Sequence, residues 1–222
     1  MERKLARLAA PDHRDRLFGL MPPKANSDLK YKFWYTSPAY DQGSTSQCVA
    51  YSGIKYLDSA PIRNRDFALN VGFSELYHRC QLIDEWPGEN YDGTSVRALF
   101  KILKEMGYIQ EYRWAFDIPT MVQHVLTTGP MVVGTDWHTG MYSVDGRGFI
   151  HPTGRSNGGH AYMIKGVNTR TVCPDGTIGA FRIINSWGID WGVNGCASIS
   201  FAAFAQLLAR GGDACCATEI QK

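Results

Sequence analysis

The chain has 222 residues, enough for one domain or two small lobes with a sizeable buried core. Its 44% hydrophobic and 20% charged content is ordinary for a globular protein, and a formal net charge of +2 without any lysine/arginine block gives no reason to expect nucleic acid or an anionic membrane. No run approaches transmembrane length, and the apolar residues at 5–10 are interrupted by Arg7, so no secretory signal is read and a cytoplasmic, reducing location is expected.

Residues 1–37 carry two short charged segments and then Met21-Pro22-Pro23-Lys24, which reads as an arm with little secondary structure of its own. At 41–52 a Gly/Ser turn runs into an apolar helical pattern. Ala50, Ile54 and Leu57 fall at helical spacing and Pro61 closes the segment, so Cys48 stands at or near a helix N-terminus. Free N–H groups and the macrodipole favour a thiolate there. A shorter helix is expected over 74–82. The strongest is 94–106, where Val96, Leu99, Phe100, Leu103 and Met106 form one stripe, Thr94 or Ser95 can cap, and Gly107 stops the helix.

Residues 48–116 therefore read as mostly helical, and after Asp117 the period changes. Pro119 can open a short helix through Leu126, which Gly129-Pro130 ends. Strands are expected over 131–135, 162–167, 181–184 and 197–201, joined by glycine-rich turns. A last helical stripe (Phe201, Phe204, Ala205, Leu208) is stopped by Gly211-Gly212. A helical half followed by a β-rich half is an α+β arrangement, with an arm at 1–37, a helical lobe at 38–116 and a β-rich lobe at 117–222. The six cysteines, at 48, 80, 173, 196, 215 and 216, show no Cys-x-x-Cys spacing, so neither a zinc site nor any other cofactor is expected. Cys215-Cys216 reads as a tail with two incidental thiols.

Three blocks carry chemistry: Gln42 through Cys48, Gly158-Gly159-His160-Ala161, and Asn185-Ser186-Trp187-Gly188. Singly, each has a plainer reading. Cys48 could be a small buried hydrophobe, His160 an interior histidine, Asn185 a turn former, Gln42 a solvated side chain, and Trp187 and Trp191 core. His13, His78, His124, His138 and His151 read as surface or packing residues.

In their order, Gln-Gly, Cys, His and then Asn-Ser-Trp-Gly-x-x-Trp-Gly, the blocks resemble the papain-like cysteine peptidases. The run from Tyr91-Asp92-Gly93-Thr94 into the helix at 96 looks like that family's glycine-containing substrate ledge. The resemblance implies a two-lobe fold with the site in the cleft between the lobes. Cys48 would attack the carbonyl as a thiolate paired with a His160 imidazolium, Asn185 would orient the ring, and Gln42 would form an oxyanion hole with the backbone N–H of Cys48. Substrate contacts would come from Asp92, Gly93, Thr94, Ser95, Gly134, Gly159, Ala161 and Trp187. The pocket for the residue upstream of the scissile one would be lined by Thr94, Ser95, Gly134, Gly159 and Ala161. All five are small and uncharged, so bulky apolar or aromatic side chains are expected there.

Residues 11–15 and the strand at 130–137 look most like the propeptide-less microbial branch. Thr45 stands where secreted relatives carry a bridging cysteine, so Cys80 is expected to be a buried free thiol. With 47 residues before Cys48 a full prosegment is not expected, which leaves control of activity unexplained. Val49, Gln47 and Asp92 depart from the family's usual Trp, Ser/Ala and Gly. The expected partner is a peptide or protein substrate. A second reading is a papain-fold component of a larger assembly with little activity. A third, an acyl transferase with a Cys–His–Asp site, is disfavoured by Asn185 in its Asn-Ser-Trp-Gly setting.

Overall fold

A computed structural model describes residues 3–21, 28–64, 70–88 and 90–220. The Pro22-Pro23-Lys24 part of the expected arm lies outside them. Among the described residues the helices are α1 (Cys48–Asp58), α2 (Phe73–Ile83), α3 (Val96–Glu105), α4 (Ile118–Thr127) and α5 (Phe201–Ala209). The strands are β1 (Tyr31–Phe33), β2 (Ile109–Trp114), β3 (Met131–His138), β4 (Ser156–Val172), β5 (Ile178–Ile184), β6 (Cys196–Ser200) and β7 (Asp213–Ile220). Residues His13–Phe18 form a 3-10 turn in the arm. The fold is α+β with two lobes, as the resemblance to papain-like peptidases implies. No helix among the described residues is long and apolar enough to cross a membrane.

The sheet runs β2-β7-β3-β4-β5-β6 with antiparallel pairing, and β1 pairs with β4. Successive strand residues point to opposite faces, and both faces are covered. Val132, Ala161, Met163 and Cys215 pack with α1–α3, whereas Val133, Tyr162, Ile164 and Cys216 pack with α4 and α5. The two cores are thus split residue by residue along the same strands. The helical side closes tightly: a Cβ on Gly53 of α1 would lie 2.4 Å from Leu99 Cδ1 of α3.

Helix starts follow ordinary capping chemistry. Ser95 Oγ accepts from the N–H of Ala98 at 3.0 Å, Asp117 Oδ1 from Thr120 at 2.7 Å, and Ser200 Oγ from Ala203 at 3.1 Å. The Ser200 cap corrects one expectation: Phe201 opens α5 instead of ending a strand. Three strands were not expected at all: β1, in the stretch read as an arm, which pairs with β4, and β2 and β7. β2 lies inside the stretch read as helical, beyond the left-handed turn at Gly107 that ends α3, and it joins the sheet through β7. β7 begins directly after Gly211-Gly212. Being buried on both faces, it offers a continuous apolar run without alternation. Cys215 and Cys216 are therefore no incidental tail: they lie in opposite cores. All six cysteines are unpaired and buried.

Candidate active site

Cys48 is the first residue of α1, with no solvent exposure. Facing it is β4, where Ala161, the residue after His160, directs its N–H at the thiol. His160 Nε2 lies 2.7 Å from Asn185 Oδ1, which also accepts the N–H of Ser186 at 2.8 Å. An oxygen that accepts a backbone N–H is a carbonyl oxygen, so Nε2 must carry the ring proton. The free lone pair is then on Nδ1, which is buried and has no hydrogen-bond partner. Trp137 and Trp187 fix the ring from its sides, with centroids 4.9 and 5.0 Å away. Gln42 is held by Ser186, whose Oγ donates to Oε1 at 2.6 Å, so that Nε2 points into the cleft.

The cleft is filled by the chain's own arm. Gln42 Nε2 donates to the carbonyl of Lys4 at 3.2 Å as well as to that of Thr45 at 2.8 Å. Thr94 N–H donates to the Ala6 carbonyl at 3.2 Å, Leu8 N–H to the Thr94 carbonyl at 2.9 Å, and Arg7 N–H to the Gly159 carbonyl at 2.9 Å. The ledge admits this backbone only because it is glycine: a Cβ on Gly93 would sit 2.3 Å from the Ala6 carbonyl oxygen, and one on Gly159 2.1 Å from that of Arg7. The arm presents the N–H of Ala6 to the thiol, while the carbonyl at Gln42 belongs to Lys4. Sulfur and the Gln42 amide thus engage different peptide units of the arm.

Arg7 turns its side chain down between Gly134 and Gly159. Its terminal nitrogen donates to Asp213 Oδ2 at 2.5 Å and to the Gly211 carbonyl at 2.8 Å. A Cβ on Gly134 would lie 2.5 Å from both Arg7 Nε and Asp213 Oδ1. The pocket exists because β3 carries glycine there. Further along, Arg3 pairs with Asp41, Lys4 with Asp92 at 3.1 Å, and Arg97 with Asp15 of the arm and with Glu85 at 3.2 Å.

No protein-family model matches the chain. Its sequence is similar to cathepsin B-like CP3 of Giardia intestinalis, 28% identical over 109 residues that make up 49% of this chain and 33% of that protein. Cathepsin B-like CP2 of the same organism is 33% identical over 82 residues, 37% of this chain and 26% of the relative. The matched stretches span a third or less of these relatives' length. Over the full chain, the crystal structure of xylellain, a cysteine protease from Xylella fastidiosa, is similar with a TM-score of 0.71 at 19% identity, covering 100% of this chain and 99% of that one. ProCathepsin B S9 from Trypanosoma congolense gives a TM-score of 0.65 at 13% identity, covering 97% and 87%. The chain has the papain-like fold, and part of its sequence is similar to cathepsin B-like proteins.

For a papain-like site in this closed state, two expectations need correction. The first is the ion pair. Burial pushes the Cys48 thiol up, opposed by the N–H groups of Ala161, Ala6 and Val49 and by the charge of Arg7. Burial also pulls His160 down to about 4, opposed by the hydrogen bond that its ring donates to Asn185. With the arm seated, thiol and imidazole are both favoured in their neutral forms, not as thiolate and imidazolium. The second is the pocket. Besides Gly134, Gly159 and Thr94 it contains the Asp213 carboxylate, so it is not lined by uncharged groups alone. Burial raises Asp213 and the Arg7 charge opposes that rise.

The remaining expected contacts divide. Asp92 lies at the exposed rim beside Lys4, and the Trp187 carbonyl accepts from Arg3 at 3.0 Å. Ser95 is engaged elsewhere, capping α3 and donating to Glu85 at 3.0 Å. Ala161 backs the thiol within the core. Sequence reasoning missed Asp213, Arg7, Ser186 and Trp137. His151 pairs with Asp145 at 2.8 Å, and His124 is buried beside Cys216.

Proposed function

We propose that the chain is a cysteine endopeptidase held latent by its own N-terminal segment, with 1–37 as gate, 38–116 carrying the nucleophile and 117–222 carrying the base. The observation that carries this reading is the His160 ring. Its Nε2–H is committed to Asn185 and its Nδ1 lone pair is unpartnered, in a strand whose next N–H faces Cys48. Once the arm withdraws, water and substrate enter and the desolvation that keeps both groups neutral is relieved. Nδ1 takes the thiol proton as Sγ bonds to the substrate carbonyl carbon. The oxyanion is held by Gln42 Nε2 and the Cys48 N–H, each such donor contributing about 3 kcal/mol. Collapse breaks the C–N bond and Nδ1–H protonates the leaving amine; water then attacks the thioester with Nδ1 as base, the C–S bond breaks, the acid product leaves, and Nδ1–H returns its proton to the Cys48 sulfur. Catalysis would rest on Cys48, His160, Asn185 and Gln42, with peptide or protein as substrate. Six unpaired thiols favour a reducing, cytoplasmic setting.

The filled cleft also favours a second reading, a papain-fold component of an assembly whose site stays shut. The full chain carrying Arg7→Ala, which loosens the arm, separates the two. Cleavage of a peptide library by this variant, lost when Cys48→Ala is added, supports the peptidase. Rapid iodoacetamide labelling of Cys48 without cleavage of any peptide supports the second reading.

A further inference from the structure

We propose that β1 is a docking edge for another polypeptide, an extended acidic segment that joins the sheet as a further strand. β1 meets β4 at Gly166, Val167 and Asn168, further along that strand than His160. The Lys30 carbonyl accepts from Thr169 N–H at 2.8 Å, and Trp34 N–H donates to the Lys165 carbonyl at 2.8 Å. The alternation of an antiparallel ladder then turns the N–H and C=O groups of Tyr31 and Phe33 away from β4. Among the described residues no strand pairs with that outer edge. Such an edge is a template for a further strand.

The side chains make it a built surface. Tyr31, Phe33 and Tyr35 are each more than half exposed and alternate with the half-buried Lys32 and Trp34, so their rings fall on one face. Trp34 pins the strand from the other face: its Nε1–H donates to the Val125 carbonyl of α4 at 2.8 Å, and Lys32 lies over its ring at 4.5 Å. Phe33 is seated where β4 carries glycine, since a Cβ on Gly166 would meet Phe33 Cδ1 at 2.4 Å. The aromatic row is therefore held in solvent, and contiguous apolar surface of this kind marks an interaction face.

Charge selects the occupant. Lys30 and Lys32 lie on the edge segment itself, Arg63 is 5.3 Å from the Tyr35 ring, and Lys165 donates to Thr36 Oγ1 at 2.9 Å. Arg182 is in register with Gly166, behind Phe33. Of the acids nearby in the chain, Asp58 is paired with Lys55, and Asp28 precedes the strand. A second copy docked here would set lysine against lysine. A lipid surface would bury the outward N–H and C=O groups without partners, and nucleic acid brings no matching ladder. An extended peptide rich in carboxylates supplies both the ladder and the opposite charge.

The test uses the full chain and two fluorescein-labelled peptides, Glu-Val-Glu-Val-Glu-Val-amide and its lysine twin, followed by anisotropy. The glutamate peptide should bind about 10-fold tighter, with the gap narrowing in salt. Lys30→Glu/Lys32→Glu should reverse the preference, and Tyr31→Ala/Phe33→Ala should weaken the glutamate peptide by about 10-fold. A urea midpoint near the parent's shows that each variant folds. In hydrogen exchange, the bound glutamate peptide should slow the amides of Tyr31 and Phe33 and leave that of Lys32, already turned to β4, unchanged. This readout also places the peptide on β1 and not in the cleft, so it holds whether or not the chain cleaves peptides. Equal binding of the two peptides, an unreversed preference in Lys30→Glu/Lys32→Glu, or no protection at Tyr31 and Phe33 overturns the proposal. So does tighter binding of oligothymidylate or phosphatidylserine vesicles, or dimerisation of the chain, that is lost in Tyr31→Ala/Phe33→Ala.

Discussion

At the thiol end of the cleft the arm is held by backbone alone, and at the pocket end by a side chain. Gln42, Thr94 and Gly159 bond the main-chain groups of Lys4, Ala6, Arg7 and Leu8, which any residue could supply. Asp213 bonds the guanidinium of Arg7, which only arginine supplies in that geometry. On the proposed reading of the cleft, the difference separates two tasks of one groove. Reaction on many peptide bonds needs contacts blind to sequence around the reacting atoms. Choice among peptides, or a hold on one's own arm, needs at least one contact that is not blind. Perturbing the two ends should accordingly give effects of different kind.

The largest effect lies at the blind end. In the Arg7→Ala background, His160→Ala should lower peptide hydrolysis by a factor on the order of 10⁴ or more, because proton acceptor and donor are lost together. Asn185→Ala should leave measurable turnover, since it frees the ring's orientation but removes neither reacting group. A urea midpoint close to the parent's shows that the variants fold, and turnover by His160→Ala equal to the parent's removes His160 from the reaction.

The pocket end comes next. Arg7→Ala breaks a buried pair, a change worth about 3 kcal/mol or more when one partner is left behind, and the seated arm bears that loss. Labelling of Cys48 by iodoacetamide should therefore quicken by about 10²-fold in Arg7→Ala, as the open population grows. An unchanged rate would mean that the backbone contacts alone set how tightly the arm is held.

The same division explains what could be read from sequence. Cys48, Gln42, His160 and Asn185 were legible because each sits in a short contiguous motif: a turn into a helix, a glycine pair opening onto a strand, a turn rich in Trp and Gly. The α+β order was legible from the change of period after Asp117. Arg7 and Asp213 were not, since they are 206 positions apart and neither carries a local pattern. Asp213 opens a strand whose faces are both buried, so β7 lacks the alternation that marks a half-buried strand. The ionisation state of the site was misjudged for a related reason. A helix N-terminus can be read from sequence, but the water excluded by an arm that folds back over the cleft cannot.

Acid should act on the blind end and so tests that last point. His160 titrates at about 4 in the closed state against 6.5 when free, because burial disfavours its charge. Its neutral form thus adds stability that is complete above pH 6.5 and is lost as pH falls toward and through 4, amounting to about 3 kcal/mol. His124, also pulled down to about 4 by burial, adds a loss in the same window. Urea denaturation at pH 7 and pH 4 should show a smaller acid loss in His160→Ala than in the parent, with the His124 share common to both. Equal losses in the two proteins would show that proton uptake at His160 is not what opens the site.

The smallest effect belongs to the rim, where side-chain contacts exist but water screens them. Lys4 Nζ and Asp92 lie 3.1 Å apart with side-chain exposures of 51% and 67%, against 3% and 20% for Arg7 and Asp213. Exposed pairs of this kind gain little over hydration of the separate charges, and salt weakens them further. Lys4→Ala, Asp92→Ala and the double variant should each change the labelling rate of Cys48 by less than about fivefold. The double-variant cycle should give a coupling near zero in 0.5 M salt, a condition that leaves most of the Arg7 effect in place because that pair is shielded from solvent. A rim coupling as large as the Arg7 effect would mean that summed charge along the cleft, not a fitted pocket, holds the arm.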